Sequence, residues 1–517
     1  MRAESLLILR SLAHGRPVTA HGITWESLLG SSPLPSRPQA APRRPVPLYV
    51  DLDGTLVATD TLWESFLLFL AHSPMSVWRV PAWLARGRAA FKHEIARRVT
   101  LSPESLPYRP EVLGLIAEAR ARGAEVILAT AADEAVAHAV AEHVGQFDGV
   151  IASDGGANLK GERKLAAIRA HAGDRPFAYV GNDGADVPIL AAASVGFLTA
   201  ASPALARLLT HRHPSVRVLG EATGSRRALL RLIRPQQWVK NILVLVPLLL
   251  SHMVLQLPRL ASAVFALVAF SLCASAVYVV NDLVDVHADR LHPRKRRRPI
   301  AAGEVTIPQA GLLAVGLIMA AVGLAAATLP LPFLGVLALY FATSQAYSLV
   351  LKRVPVLDVI VLAGLYAVRL LAGAVATNVA ISAWLLAFAL FFFLSLAYVK
   401  RYTELTMLRE RGEGGTARRG YEVPDIELVR SVGPASGYLS VLVLALYTSN
   451  ESVRSLYPHP QFLWLLGPVL LYWISRVWLL AHRGLMHDDP IVFAVKDRTS
   501  YLVGAIALLI GLAATFL

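Results

Sequence analysis

The 517-residue chain holds a single cysteine, Cys273, so no intrachain disulfide can form. A lone thiol inside an apolar run behaves as a small buried hydrophobe. Charge is also scarce. Asp, Glu, Lys and Arg make up 17% of the chain, against about 25% in ordinary soluble domains. With 55% hydrophobic residues, that scarcity excludes a protein soluble throughout. The same composition excludes a disordered, collagen-like or disulfide-stapled chain.

Acidic residues are short in one half only. Residues 1–224 hold 23 Lys and Arg against 21 Asp and Glu, whereas residues 225–517 hold 27 against 15. Most of the net charge of +14 therefore belongs to the hydrophobic half. Basic residues there set membrane topology and do not point to nucleic acid.

Before residue 225 the apolar runs are short. Leu48–Val50 and Val126–Ala129 read as strands, and Glu111–Arg122 as an amphipathic helix between them. The alternation predicts an α/β domain with a parallel sheet over 45–222. Residues 1–44, with five prolines at 33, 35, 38, 42 and 45 at or near their end, read as a disordered extension. Leu6–Leu12 is too short, and wrongly flanked, for a signal peptide. Gly220–Arg227 reads as a linker.

From there to residue 517 the chain reads as an all-α membrane domain, 223–517. Nine apolar segments approach the length of about 20 residues that a spanning helix needs: 238–257, 260–281, 309–329, 331–350, 354–376, 380–399, 433–449, 462–481 and 499–517. The loops after the second, fourth, sixth and eighth carry 18 Lys and Arg, and the opposite loops little beyond Arg259 and Arg454. The asymmetry predicts a cytoplasmic N-terminal domain and an outward C-terminus.

Val46–Val50 runs directly into Asp51-Leu52-Asp53-Gly54-Thr55. Two carboxylates two residues apart at a strand's C-terminal end reach one phosphate and one Mg²⁺. One can attack phosphorus and the other protonate the leaving alkoxide. The pattern resembles the haloacid dehalogenase (HAD) phosphohydrolase superfamily over about 45–218. The resemblance implies a Rossmann-like fold and assigns Thr130, closing Ile127-Leu128-Ala129-Thr130, to the phosphoryl group. Lys160 or Lys164, with Lys164 preferred, would neutralise phosphate and nucleophile. The run Val180-Gly181-Asn182-Asp183-Gly184-Ala185-Asp186 would bind Mg²⁺ beside Asp51 and Asp53. Its first acidic position reads Asn182 with Asp183 beside it, leaving either as the ligand, while Asp186 is the safer assignment. Residues 57–108 would form a small helical cap.

The second apolar segment ends in Asn281-Asp282-Leu283-Val284-Asp285, with Asp289 following. Spacings of three and four put Asp282, Asp285 and Asp289 on one face of a helix. Hard carboxylate oxygens at a membrane surface suit Mg²⁺ and, through it, a diphosphate. The run His292 to Pro299 adds five basic residues, which either anchor the loop or bind phosphate.

The NDxxDxxxD pattern, with Arg298-Pro299-Ile300-Ala301-Ala302-Gly303 after it, resembles the UbiA-type intramembrane prenyltransferase superfamily over about 230–517. Aromatic prenyltransferases of that superfamily carry a second aspartate motif after the sixth segment. Here that loop reads Lys400-Arg401-Tyr402-Thr403-Glu404-Leu405. The runs Arg234 to Asn241 and Tyr347 to Lys352, Asp358 and Arg369 eleven residues apart, and Asp489-Pro490 with Asp497-Arg498 resemble instead the polyprenyl-phosphate phosphoribosyltransferases. That branch implies transfer of phosphoribose from phosphoribosyl diphosphate (PRPP) to a polyprenyl phosphate in a bacterial inner membrane. Asp282 and Asp285 would act on the Mg–diphosphate, with Asp289 as a further ligand. Asn281, Lys240, Lys352, Arg353, Lys400 and Arg401 would bind substrate. Asp358 and Arg369 are either functional or a structural ion pair. The alternative is prenyl transfer from a polyprenyl diphosphate to an aromatic or other acceptor, and a third reading is a lipid-binding protein without catalysis. On one chain with a transferase, the phosphatase would remove the product's 5-phosphate.

Overall fold

Leu48 and Val50 pack into one apolar cluster and Tyr49 into another, all three buried. A strand covered on both faces reads this way, because successive side chains point to opposite sides of the sheet. This strand, β1 (Leu48–Val50), lies inside a six-stranded, wholly parallel sheet. The others are β2 (Val126–Asp133), β3 (Gly149–Ser153), β4 (Ala178–Gly181), β5 (Val195–Leu198) and β6 (Val216–Val218), in the order β3-β2-β1-β4-β5-β6. The strand order reverses between β1 and β4, the position where open α/β sheets gather ligands at their carboxyl ends.

The computed structural model describes residues 45–154, 158–220, 226–412, 419–454, 456–486 and 490–517. The extension 1–44, most of the linker Gly220–Arg227, and Asp489 lie outside the described residues. The helix expected at 111–122 is Pro110–Ala121, with Val112, Leu115, Ile116 and Ala119 buried. Residues Thr61–Ala96 form the helical insertion, around Phe69, Trp83, Phe91 and Ile95. Its first helix, Thr61–His72, starts at Asp60, whose carboxylate accepts from the amides of Leu62 and Trp63.

The chain divides into two units. One unites the N-terminal domain with Asp282–Leu313, and the other comprises Arg234–Asn281 and Ala314–Leu517. The segment after the acidic loop thus folds with the sheet domain.

Seven helices among the described residues are long and apolar enough to cross a membrane: Leu257–Val284, Ile307–Thr328, Leu357–Thr377, Ala383–Glu410, Val423–Ser449, Pro460–His482 and Arg498–Phe516. The expected count of nine is not reached, for two physical reasons. The first segment is broken into a 3₁₀ helix, Pro235–Leu245, and a short α-helix, Val246–Leu250. Pro235 and Pro247 stand near the starts of the two pieces, where a missing amide is tolerated. The fourth is the helix Leu331–Leu349, diluted by Thr343, Ser344, Gln345, Tyr347 and Ser348 near its end.

Candidate active sites

Asp51 is the residue after β1 and the run Asn182–Asp186 follows β4, so parallel pairing of these strands brings both loops to one edge. Gly54 turns the first loop with φ +74°, and a Cβ there would stand 2.1 Å from the side-chain amide of Asn182. Glycine therefore lets Asn182 close on the Asp51–Gly54 loop. Thr55 Oγ1 lies 3.3 Å from Asp51 Oδ2 and 3.2 Å from Asn182 Oδ1, donating toward both. Asn182 meets the Asp51 loop through Thr55, and Asp183 borders the same cavity. Asp183 is exposed and lies 3.7 Å from the exposed Lys160.

Lys164 is the buried lysine of this site. Its Nζ donates to Asp51 Oδ1 at 2.8 Å, to Tyr179 OH at 3.0 Å and to Asp186 Oδ1 at 3.2 Å. Burial alone would lower its pKa, but Asp51 and Asp186 overcome that and hold it above the ordinary lysine range. Burial raises Asp51 against the pull of Lys164. Desolvation of the Asp53 carboxylate, with like charge from Asp60, pushes its pKa up to about 7, although the Thr61 amide donates to it at 2.7 Å. Asp186 is saturated by Lys164, Tyr179 and the amides of Asn182 and Asp183.

Asp51, Asp53, Lys164 and Asn182 border a cavity of about 280 Å³, which Lys92 and Arg109 also line. Sequence reading missed both cations. They come from the helical insertion and from just before the next helix, and only folding delivers them to the cavity. Thr130 is fully buried and accepts from the Ala132 amide at 3.0 Å; its neighbour Ala131 takes the place on the wall. Asp53 meets no cation among the described residues. An unneutralised carboxylate beside Asp51 and the Asn182 carbonyl oxygen fits a divalent cation, with Asp51, Asp53 and Asn182 as its holders.

The acidic loop departs from one continuous helix. The long helix ends at Val284, Asp285 interrupts it at φ −90°, ψ 6°, and Val286–Leu291 starts anew. The three carboxylates therefore do not share one helical face. Asp282 and Asp289, both buried, instead converge on Arg298, whose Nη1 lies 2.9 Å from Asp282 Oδ1 and 2.5 Å from Asp289 Oδ2. Burial raises the Asp289 pKa against the pull of Arg298 and Lys295. Among the described residues no three acidic, His or Cys side chains form a ready metal cluster. The donor type is right for Mg²⁺, but the gap between Asp282 and Asp289 is filled by Arg298.

The membrane unit encloses a cavity of about 330 Å³ bordered by Lys240, Asn281, Tyr340, Tyr366, Arg369 and Lys400, among others. Arg369 is buried and faces the rings of Tyr340, Phe270 and Tyr366 at 5.1–5.3 Å. Its Nε donates to Asn241 Oδ1 at 2.9 Å, and Asn241 donates to Ser271 Oγ at 3.0 Å. This scaffold fixes a desolvated guanidinium at the cavity wall. Arg234, Tyr278 and Arg419 also line the wall. Spacings of four and seven, Tyr340-Ser344-Tyr347, mark a polar stripe on an otherwise apolar helix and are the signal that sequence reading passed over.

Three expected floor cations lie elsewhere. Lys352 and Arg353 occupy a 3₁₀ turn, Leu351–Arg353, outside the lining residues. Arg401 is 1% exposed and committed to Asp358 and Glu404, both at 2.5 Å, and to Tyr347 OH at 3.1 Å. Asp358 pairs with Arg401 and Tyr421, not with Arg369. Eleven helical residues separate the latter pair by about 16 Å, beyond any ion-pair distance.

Comparison with known proteins assigns the two halves of the chain to different families. The UbiA prenyltransferase family model matches residues 244–495, and the haloacid dehalogenase-like hydrolase model residues 48–191. The protein y4nM of Sinorhizobium fredii is 38% identical over 90% of this chain and 90% of its own length. The nodulation protein NoeC of Azorhizobium caulinodans is 38% identical over 54% of this chain and 90% of its own. The decaprenyl-phosphate phosphoribosyltransferase of Mycobacterium tuberculosis is 40% identical over 42% of this chain and 72% of its own. The chain belongs to the UbiA prenyltransferase family, among the relatives of the decaprenyl-phosphate phosphoribosyltransferases, and carries a haloacid dehalogenase-like hydrolase domain at its N-terminal end.

Proposed function

We propose that the chain transfers 5-phosphoribose from PRPP to a polyprenyl phosphate, releasing diphosphate, and that its hydrolase domain then removes the 5-phosphate. The observation that carries the first step is the position of Lys240. It borders the polar cavity and also an apolar groove of about 380 Å³ lined by Ile242, Leu243, Phe392, Phe393 and Trp473. A cation at the meeting of a polar chamber and an apolar channel suits a lipid phosphate, its head at Lys240 and its tail in the groove.

Lys400, Arg369 and Arg234 supply positive charge for phosphate groups of PRPP within the same cavity. The lipid phosphate oxygen is already anionic, so it forms the bond to ribose C1 without a strong base as the bond to diphosphate breaks. Asp282, Asp285 and Asp289 are the candidates for holding Mg²⁺ on the diphosphate. In the hydrolase cavity Asp51 attacks phosphorus as the bond to the ribose oxygen breaks, Asp53 protonates the leaving alkoxide and then takes a proton from the water that hydrolyses the aspartyl phosphate to free phosphate, and Lys164 compensates charge on nucleophile and phosphate. Bound Mg²⁺ supplies the same chemistry at both places, neutralisation of phosphate oxygens. The bias of the basic loops supports a hydrolase domain and an acidic loop on the cytoplasmic side of a bacterial inner membrane.

Lys240→Gln tests the head-group assignment. A lost charge-assisted hydrogen bond is worth about 1.5–3 kcal/mol, so KM for polyprenyl phosphate is expected to rise between about tenfold and a hundredfold. Transfer kinetics with the wild-type KM would sink the assignment. In the hydrolase cavity, Asn182→Asp adds the carboxylate that the natural residue lacks. The Mg²⁺ concentration for half-maximal hydrolysis of ribose 5-phosphate is expected to fall about tenfold, since affinity follows ligand charge. A metal titration with an unmoved midpoint would remove Asn182 from the metal's surroundings.

A further inference from the structure

The hydrolase cavity has a wall that does not come from the hydrolase domain. Thr306 borders it, and Thr306 belongs to the segment Asp282–Leu313 that folds with the sheet unit. Gly303, at φ +71°, is pressed against the hydrolase loop. A Cβ there would stand 2.4 Å from the Ala58 carbonyl oxygen and 2.5 Å from its Cβ. Ala58 and Thr59 border the same cavity, and Gly54 donates its amide to the Thr59 carbonyl at 2.9 Å.

A buried clamp holds this turn in place. Glu64 is fully buried, and its Oε1 accepts from Thr59 Oγ1 and from Arg290 Nη2, both at 2.6 Å. Arg290 is 4% exposed and also donates through Nε to the Ala301 carbonyl at 3.1 Å. One guanidinium thus ties the hydrolase insertion to the turn that ends at Thr306. Removing either partner of this buried pair would strand the charge of the other.

We infer that Pro299–Thr306 is a second cap of the hydrolase cavity, and that Thr306 is a positioning residue that sets which phosphomonoesters enter. The inference rests on the phosphatase reading of the cavity. It names as substrates sugar-sized phosphomonoesters whose alcohol portion lies against the turn. Thr306 also has a purely structural role, because its Oγ1 accepts from the Gln309 amide at 3.4 Å and caps the helix Ile307–Thr328. Both Asp and Asn are good N-caps, so replacing Thr306 by each in turn separates the two roles.

The experiment measures Mg²⁺-dependent hydrolysis of ribose 5-phosphate and p-nitrophenyl phosphate by full-length protein in detergent. For Thr306→Asp, KM for ribose 5-phosphate is expected to rise about tenfold, the scale of one like charge added beside a bound dianion. kcat should stay within twofold. Thr306→Asn, which caps the helix equally well without the charge, should raise KM less than Thr306→Asp does. Gly303→Ala, which pushes the turn off Ala58 and keeps the threonine side chain at 306, should raise KM several-fold by itself. Equal KM values for wild type, Thr306→Asp and Gly303→Ala would overturn the second cap and leave the phosphatase reading standing. A folded wild type that hydrolyses neither ester would overturn that reading and the inference with it.

Discussion

Asp51→Asn is expected to lower hydrolysis of the 5-phosphate at least about a thousandfold, the scale on which loss of a nucleophile acts, while phosphoribosyl transfer continues. The lipid product would then accumulate with its 5-phosphate in place. Geometry supports this outcome. Asp51 follows the central strand β1, is 6% exposed, and has Lys164 2.8 Å from one oxygen and Thr55 at 3.3 Å from the other. Asn is isosteric and keeps an acceptor for Lys164, so the loop should hold its shape. The amide lacks the anionic oxygen that attacks phosphorus. Mass spectrometry of the lipid fraction checks the result. Complete loss of the 5-phosphate in Asp51→Asn would show that the domain acts on some other ester.

Asp282→Asn is expected to lower phosphoribosyl transfer at least about a hundredfold, as removal of an essential charge-stabilising group does. Asp282 is 3% exposed at the last turn of the helix Leu257–Val284, and the preceding residue, Asn281, borders the polar membrane cavity. Its carboxylate accepts from Arg298, a partner that it shares with Asp289. Arg298 keeps Asp289 in the variant, so the loop retains an anchor and the loss should appear in turnover more than in stability. Initial rates of label transfer from PRPP, with the unfolding temperature in detergent as control, check both halves. Wild-type turnover in a folded Asp282→Asn protein would place the diphosphate elsewhere.

The hydrolase half was legible because its chemistry is local. An apolar strand running into two aspartates and a glycine carries its own geometry, and Lys164 lies in the helix before the strand that leads to Asp186. What stayed hidden depends on long-range packing. Lys92 and Arg109 reach the cavity from separate elements, and Glu64 meets Arg290 across 226 residues of chain. In the membrane half the basic bias and most spans were plain. A run of charge, however, does not say which side chains already have partners. Arg401 resembles a free phosphate ligand in the sequence, yet its guanidinium belongs to Asp358 and Glu404. Likewise, spacings of three and four assume an unbroken helix, and Asp285 breaks it. Hydropathy counted nine segments because it does not register that prolines fragment the first or that the fourth turns polar where it borders a cavity.

What moves, and to what, can be measured directly. Purified full-length protein in detergent, given Mg²⁺, polyprenyl phosphate and PRPP labelled in the ribose, is extracted into organic solvent and the label is counted. The expected result is lipid-bound label that depends on Mg²⁺, disappears in Asp282→Asn, and carries a 5-phosphate only in Asp51→Asn. Absence of lipid-bound label from folded wild-type protein, with product formed instead from a polyprenyl diphosphate and an aromatic acceptor, would contradict phosphoribosyl transfer.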